Sequence, residues 1–251
     1  SPPILLGGPV IFPLAQARSA LRAYADFAGD APDDIYADAA LTTLPDGNRV
    51  LVIDTCYAGA IDAGEQAFAP IRKFGTPIVD AIAPTPYVKL QQTADQVLAR
   101  GRRYYVKGSF LREINTALSD SLVEGFAGLP PGVTVNFADA GGAISRVAPT
   151  ATAFWNRGAR WNLVCSAVWD NPADSEAGIA AGRRAYDIAE PYAKGFYVND
   201  ANLAERTQAQ VDSNYGGNLA RLEKVKAQYD PANLFHLNAN VMPAGLILAG
   251  T

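Results

Sequence analysis

Histidine is nearly missing from this chain: His236 is the single one in 251 residues, and there are two cysteines, Cys56 and Cys165. No pair of Cys or His residues stands at metal-ligand spacing, which argues against a zinc centre. A lone imidazole also argues against a Ser-His-Asp hydrolase. The cysteines lie in the apolar runs VLVIDTCYAG and WNLVCSAVW and read as two buried free thiols rather than a disulfide. No stretch reaches the roughly 18 apolar residues of a bilayer span. The one basic cluster, RGRR at 100–103, reads as a local turn, and a formal net charge of −4 argues against a nucleic-acid surface. No G-x-G-x-x-G follows a strand-like run and no Walker A loop is present, so the chain lacks a self-contained phosphate cradle. It opens as SPPILLGGPVIFPL, without a basic region ahead of the apolar run, a start expected of a mature, trimmed or split chain. The expectation is a soluble protein, with the cytoplasm favoured.

What is present supports a sizeable core. Hydrophobic residues make up 49% and charged residues 18%, a balance that disfavours disorder. GGPVIFPL (7–14) reads as a strand, and residues 15–31 as a helix with Leu14, Ala17, Leu21, Tyr24 and Ala28 on one face. Two β-rich runs flank Pro45-Asp46-Gly47-Asn48, a hairpin turn. Residues 60–75 look helical, ended by Gly75 as a C′ glycine. Prolines make 76–95 extended and irregular. Strands are expected at 102–110, at 132–148 with Gly141-Gly142 as a bulge or the site of a flat ligand, at 159–170, and briefly at Phe196–Val198. Helices are expected over 111–130, 173–193 and 207–230, the last with a stripe of Leu219, Leu222, Val225 and Tyr229 and a stop at Asp230-Pro231. Strands with helices laid between them favour α+β, a large antiparallel sheet flanked by helices, over parallel α/β.

The closing run NYGGNLARLEKVKAQYDPANLFHLNANVMP (214–243) resembles the C-terminal segment of berberine-bridge-enzyme-like, FAD-linked oxidases of the vanillyl-alcohol-oxidase superfamily. The matching positions are Tyr215, Gly216, Asn218, Arg221, Leu222, Lys226, Tyr229, Asp230, Pro231, Asn233, Phe235, Asn238 and Asn240. GGPVIFPL, the block from Tyr57 to Gln91, GRRYYVKGSFL, GGAISRVAPTATAFWNR and GFYVND resemble the family's substrate-domain blocks in the same order. The resemblance implies a substrate-binding domain over 1–204 and a C-terminal segment over 205–251 that would pack on a flavin-binding domain. It further implies an N-terminal flavin-binding domain ahead of GGPVIFPL, which this sequence does not contain. FAD is therefore expected to be held mainly by that missing domain or by a partner chain. Three readings stay open: one half of a split or cleaved enzyme, an isolated substrate domain, or a flavin-free descendant that binds or cyclises a ligand.

Within that resemblance, the family's Tyr-x-Asn-Tyr strand corresponds to Tyr197, Asn199 and Asp200. Relatives place a pocket tyrosine at the last position, and in several alcohol- and sugar-oxidising members it helps remove a hydroxyl proton. Here a short carboxylic acid replaces the phenol. Asp200 is thus either an Asx-turn residue or a catalytic general base. Tyr197, Gly141, Gly142 and Arg146 are expected to meet a small-molecule substrate. So is one tyrosine of the Tyr104–Tyr105 pair, taken as Tyr105. Asn199, Asn238 and Asn240 are expected to reach the flavin. Arg146 has a plain alternative, an outward-facing charge. Neither cysteine lies in a block resembling the family's flavin-attachment motif.

Overall fold

The computed structural model describes residues 3–95, 98–200 and 202–246. Its centre is an eight-stranded antiparallel sheet. In chain order the strands are β1 (Ile4–Pro13), β2 (Ile35–Thr43), β3 (Arg49–Tyr57), β4 (Val79–Asp80), β5 (Ala83–Pro86), β6 (Arg103–Leu111), β7 (Val133–Asp139) and β8 (Trp161–Trp169). In space they run β4-β1-β3-β2-β7-β8-β6, with β5 also paired to β1. The expected hairpin is β2–β3, in register from Ile35 opposite Tyr57 to Thr43 opposite Arg49. Its turn is closed by Asp46, which accepts from the Asn48 N–H at 2.9 Å, and by Gly47 at φ 88°, a conformation that favours glycine.

The helices are α1 (Ala17–Asp30), α2 (Ile61–Phe68), α3 (Tyr87–Gln91), α4 (Thr116–Ala127), α5 (Ala143–Arg146), α6 (Ser175–Ala189), α7 (Gln208–Tyr215) and α8 (Leu219–Tyr229). Of these, α1, α4 and α6 cover one face of the sheet. Period-two alternation sends Phe12, Leu41, Ile53, Phe137 and Leu163 to that side, where all are fully buried. Tyr24, buried in α1, donates its hydroxyl to the carbonyls of Ala37 (2.9 Å) and Phe137 (3.3 Å), tying the helix to β2 and β7.

Among the described residues, the opposite face carries no such layer. At one end α3 packs over β1, with Leu90 against the position a side chain at Gly7 would take. At the other end the segment after α6 lies over β6 and β8. Among the described residues, the strands β3, β2 and β7 between them stay uncovered.

Several expectations change. The 60–75 helix stops at Phe68 and resumes as a single 3-10 turn, Ile71–Lys73, capped at Phe74, so Gly75 follows that turn but without the positive φ of a C′ glycine. Gly75 instead sits against the Gln16 side chain, leaving no room for a Cβ. The long strand ends at Asp139, and Gly141-Gly142 lies beyond the sheet, leading into α5. Gly141 makes room for the Arg160 guanidinium, and Gly142 takes φ 57°. Phe196–Val198 is not a strand. Gly195 turns the chain at φ 82°, and the Phe196 N–H is satisfied by the Asn214 side chain at 2.9 Å rather than by a neighbouring strand. The 207–230 helix is broken into α7 and α8 by a 3-10 turn, Gly216–Asn218, where Trp155 packs on both glycines. The stripe on α8 buries nothing among the described residues: Val225 and Tyr229 are exposed, as are Leu234, Phe235 and Leu237 beyond it.

Candidate functional site

Sheet register decides what the uncovered face displays. Pro9, Asp54 and Asp38 are direct cross-strand partners, and continuing the β2–β7 register brings Ala138 beside Asp38. Ala138 pairs with Asn162, and Asn162 with Phe110. One line across the sheet therefore reads Pro9, Asp54, Asp38, Ala138, Asn162, Phe110. The parallel line is smaller and more apolar: Ile11, Val52, Ala40, Asn136, Val164, Gly108. The result is a floor of short side chains with carboxylates above it.

Asp200 stands at the β8 side of this floor. Its Oδ2 accepts from Asn162 Nδ2 at 2.7 Å, and its Cβ lies 3.2 Å from where a side chain at Gly108 would begin. Its N–H closes a turn on the Tyr197 carbonyl at 3.1 Å. The turn is what lays the carboxylate on the sheet. Tyr197, 39% exposed, accepts from Asn199 Nδ2 at 2.7 Å.

The segment carrying Asp200 is pinned from below. Glu205 accepts from Tyr105 Oη (2.8 Å), Lys107 Nζ (3.1 Å) and both Nε and Nη2 of Arg183 (3.0 and 2.8 Å). These donors hold its carboxyl below the usual range against the opposing push of burial, Arg183 contributing most among them. Arg206 reaches the Gly108 carbonyl at 3.0 Å and lies 4.6 Å over the Phe196 ring. Phe196, Val211 and Ala239 form a small second core beneath the segment.

Tyr105 belongs to this support and not to the pocket. It is 5% exposed, on the helix-covered face, packed against Gly182 of α6. Tyr104 is the member of the pair on the uncovered side; its hydroxyl donates to the Ala99 carbonyl. Arg146 lies off the sheet in an exposed ion pair with Asp33, Nη2 to Oδ2 2.5 Å, as its plain reading expects. Gly141 and Gly142 lie past the end of β7, the Gly141 N–H on the Asp139 carboxylate at 2.8 Å.

Asn238 and Asn240 line a cavity of about 380 Å³ with Arg206, Gln208, Asn233 and His236. Asn240 is buried, and the Oδ1 atoms of Asn240 and Asn233 accept no hydrogen bond. Buried acceptors without donors are costly in a finished fold. An amide-lined cavity with free acceptors fits the donor edge of a flavin ring. A larger, mostly apolar hollow of about 600 Å³ lies between α1 and residues 67–74, remote from these groups.

Three further residues complete the uncovered face and were not singled out from sequence. Tyr36 and Asp38 both leave β2 on this side, with Tyr36 Oη donating to Asp38 Oδ2 at 2.7 Å. Asp139 N–H holds the other Asp38 oxygen at 3.0 Å. Burial, with Asp54 and Asp139 nearby, pushes the Asp38 carboxyl up to about 6 despite these two hydrogen bonds. Removal from water raises Asp54 as well. Cys56 is half-buried on this face rather than in the core; Cys165 is fully buried, and both are free thiols. Among the described residues there is no group of side chains able to hold a metal ion, and no helix is long and apolar enough to cross a membrane.

Comparison with known proteins agrees with this fold. Residues 196–242 match the family model described as berberine and berberine like. An FAD-linked oxidoreductase of Dictyostelium discoideum is 25% identical over 94% of this chain and 51% of its own length. The FAD-linked oxidoreductase YvdP of Bacillus subtilis is 36% identical over 43% of this chain and 24% of its own. The fold is shared with BBE-like #28 from Arabidopsis thaliana: TM-score 0.81, 16% identity, 96% of this chain and 56% of that one. The chain spans about half the length of these relatives. The resemblance read from the sequence therefore holds as a likeness: the chain is similar to part of berberine-bridge-enzyme-like FAD-linked oxidoreductases.

Proposed function

We propose that this chain is the substrate-binding and C-terminal part of an FAD-dependent oxidoreductase. It would oxidise an alcohol or amine carbon of a small molecule of sugar, polyketide or alkaloid type, with oxygen as the final acceptor. The observation that carries this reading is the uncovered sheet face, a floor of small residues with carboxylates along one line; the amide-lined cavity is a separate feature of the C-terminal segment. When bound, FAD supplies the two-electron acceptance that no side chain here can provide. The remainder of the protein, or a partner chain, would hold most of it. From this chain Asn199, Asn238 and Asn240 would meet the ring. The exposed apolar residues of α8 and its tail, Tyr229, Leu234, Phe235 and Leu237, support a neighbouring domain on that side.

This chain's own work is orientation. Asp200, held by Asn162, would accept a hydrogen bond from a substrate hydroxyl or amine and fix the reacting carbon over the floor. Tyr197 flanks it. A visible absorption spectrum of the purified protein tests the cofactor, and a flavin band is expected. A colourless, monodisperse monomer that takes up no flavin would overturn the reading in favour of a flavin-free binding protein. Asp200→Asn in the flavin-loaded protein is expected to lower kcat/KM by about 10- to 100-fold, the worth of a charged hydrogen bond. Unchanged turnover would return Asp200 to a turn residue.

A further inference from the structure

Two residues apart on β2, Tyr36 and Asp38 put both side chains on the uncovered face. Tyr36 keeps 47% of its surface exposed, yet its hydroxyl turns along the strand onto Asp38 Oδ2. With the Asp139 N–H on Oδ1, the carboxylate is fixed and one oxygen is committed to the phenol. Among the described residues no Lys or Arg pairs with Asp38 or Asp54. This charge is therefore not neutralised as part of a structural ion pair.

A contact group hydrogen-bonded to a fixed second group is the arrangement of a working proton acceptor. The phenol alone is a poor base. Burial and the Asp38 charge raise it above its usual value, so it stays protonated and can take a proton only by passing its own on. Asp38 is the available exit.

We propose that Tyr36 and Asp38 are the proton-accepting pair of this site, Tyr36 touching the substrate and Asp38 receiving the proton. The assignment rests on the oxidoreductase reading above. The substrate O–H or N–H bond breaks and its proton goes to Tyr36 Oη, while the proton already on Tyr36 moves to Asp38 Oδ2. The electron pair left behind forms the C=O or C=N bond. The hydrogen on that carbon departs with its own pair to the flavin, the oxidant of the reaction. Asp38 then releases its proton to solvent. Asp200 lies over β8, two strands from Asp38 and so roughly 10 Å away at about 4.8 Å per strand. It would hold the far polar group of a substrate lying across Ala138.

The charged and titratable groups around Asp38 set its behaviour. Asp54 faces it directly from β3. Asp139 on β7 has its own carboxylate tied to Arg160 at 3.1 Å and to the Gly141 N–H at 2.8 Å. Tyr24 of α1 lies beneath, occupied by two backbone carbonyls. Cys56 pairs with Tyr36 across the hairpin.

Two variants at solvent-facing positions move the pair in opposite directions. Tyr36→Phe removes a hydrogen bond that favours the carboxylate, so Asp38 should titrate higher. Asp54→Asn removes a like charge, so Asp38 should titrate lower. Carboxyl-carbon NMR reads both shifts on this protein without any substrate. In the flavin-loaded enzyme, Tyr36→Phe is expected to lower kcat about 100-fold with KM little changed. Asp54→Asn should move the acid limb of the kcat/KM profile to lower pH. A Tyr36→Phe enzyme with near wild-type kcat, or an acid limb indifferent to Asp54→Asn, overturns the pair while leaving the oxidoreductase reading intact. A wild-type protein that binds no flavin and oxidises nothing overturns both.

Discussion

The two faces of this sheet are built from the same strands, alternating residue by residue, and they follow different rules. On the covered face Leu41, Ile53, Phe137 and Leu163 are closed off by α1, α4 and α6. Their neighbours one position along, Ala40, Val52, Asn136 and Val164, are only partly buried. They share the surface with Asp38, Asp54 and Tyr36. A purely structural sheet face open to water would show scattered charges with nearby partners. This one shows like charges placed directly opposite each other, an arrangement that is unfavourable for sheet stability. Stability resides on one side of the strands, and the proposed chemistry is placed on the other.

The sharpest way to break that contrast is to truncate neighbours on opposite faces. Phe137→Ala opens a cavity in the covered core and should cost about 3–5 kcal/mol of unfolding free energy. Val52→Ala, half-buried on the uncovered side, should cost roughly 1 kcal/mol, a part of the methylene burial. Chemical denaturation of both variants decides it; equal costs would mean that the second face is as tightly packed as the first.

Next in size is the bridge between the faces. Glu205 sits behind the sheet and holds the segment that carries Asp200 in front of it. Glu205→Gln leaves Lys107, whose side chain is only 12% exposed, short of its counter-charge. About 2 kcal/mol is expected, less than for a fully buried pair because Arg183 is half in water. The sign with pH follows from the lowered carboxyl. Its stabilisation is complete above the ordinary Glu range and is lost only as pH falls through the depressed value. Wild type and Glu205→Gln should therefore converge in acid. A gap that persists at low pH would assign the loss to packing instead.

Much of the covered face was legible in the sequence because local patterns determine it. The α1 stripe and the β2–β3 hairpin follow from periodicity and from one turn, and the C-terminal motif carries the family resemblance. The uncovered face was harder to read for a definite reason. Tyr104 and Tyr105 are chemically alike, so alternation says that one faces each way without saying which; Gly182 of α6 decides it. The end of β7 is set by Arg160, distant in sequence, and the loss of the Phe196 strand by the Asn214 side chain. The Asp38–Asp54 pair, however, was within reach. Once Thr43 pairs with Arg49, counting back along both strands puts the two aspartates opposite each other.

That pair gives a smaller and oppositely signed prediction. A carboxyl raised to about 6 in the folded protein binds protons more tightly there than in the unfolded chain. Stability should fall as pH rises between about 4 and 6, then level off. Asp38→Asn abolishes the ionisation, so this slope should flatten and the variant should be about 1–2 kcal/mol more stable than wild type at pH 7. Urea midpoints at pH 4, 5, 6 and 7 suffice. A variant that is less stable at every pH would show the carboxylate supporting the fold, contrary to the division between the faces.

The smallest effect belongs to Arg146, which tests where the uncovered face ends. The sequence placed it beside two glycines and left open whether it meets an acidic substrate. In the structure it sits past the end of β7 on α5, paired with Asp33 in full solvent contact, each partner holding the other in its charged form. Such pairs contribute little because water and salt screen them and two long side chains must be ordered to form them. Arg146→Ala should leave the denaturation midpoint where it is. It should also leave KM unchanged for neutral and anionic substrates alike, at low and at high salt. A KM that rises for anionic substrates alone, and more at low ionic strength, would extend the site beyond the sheet to α5. It would also make the floor between Asp38 and Asp200 only part of the surface that the substrate meets.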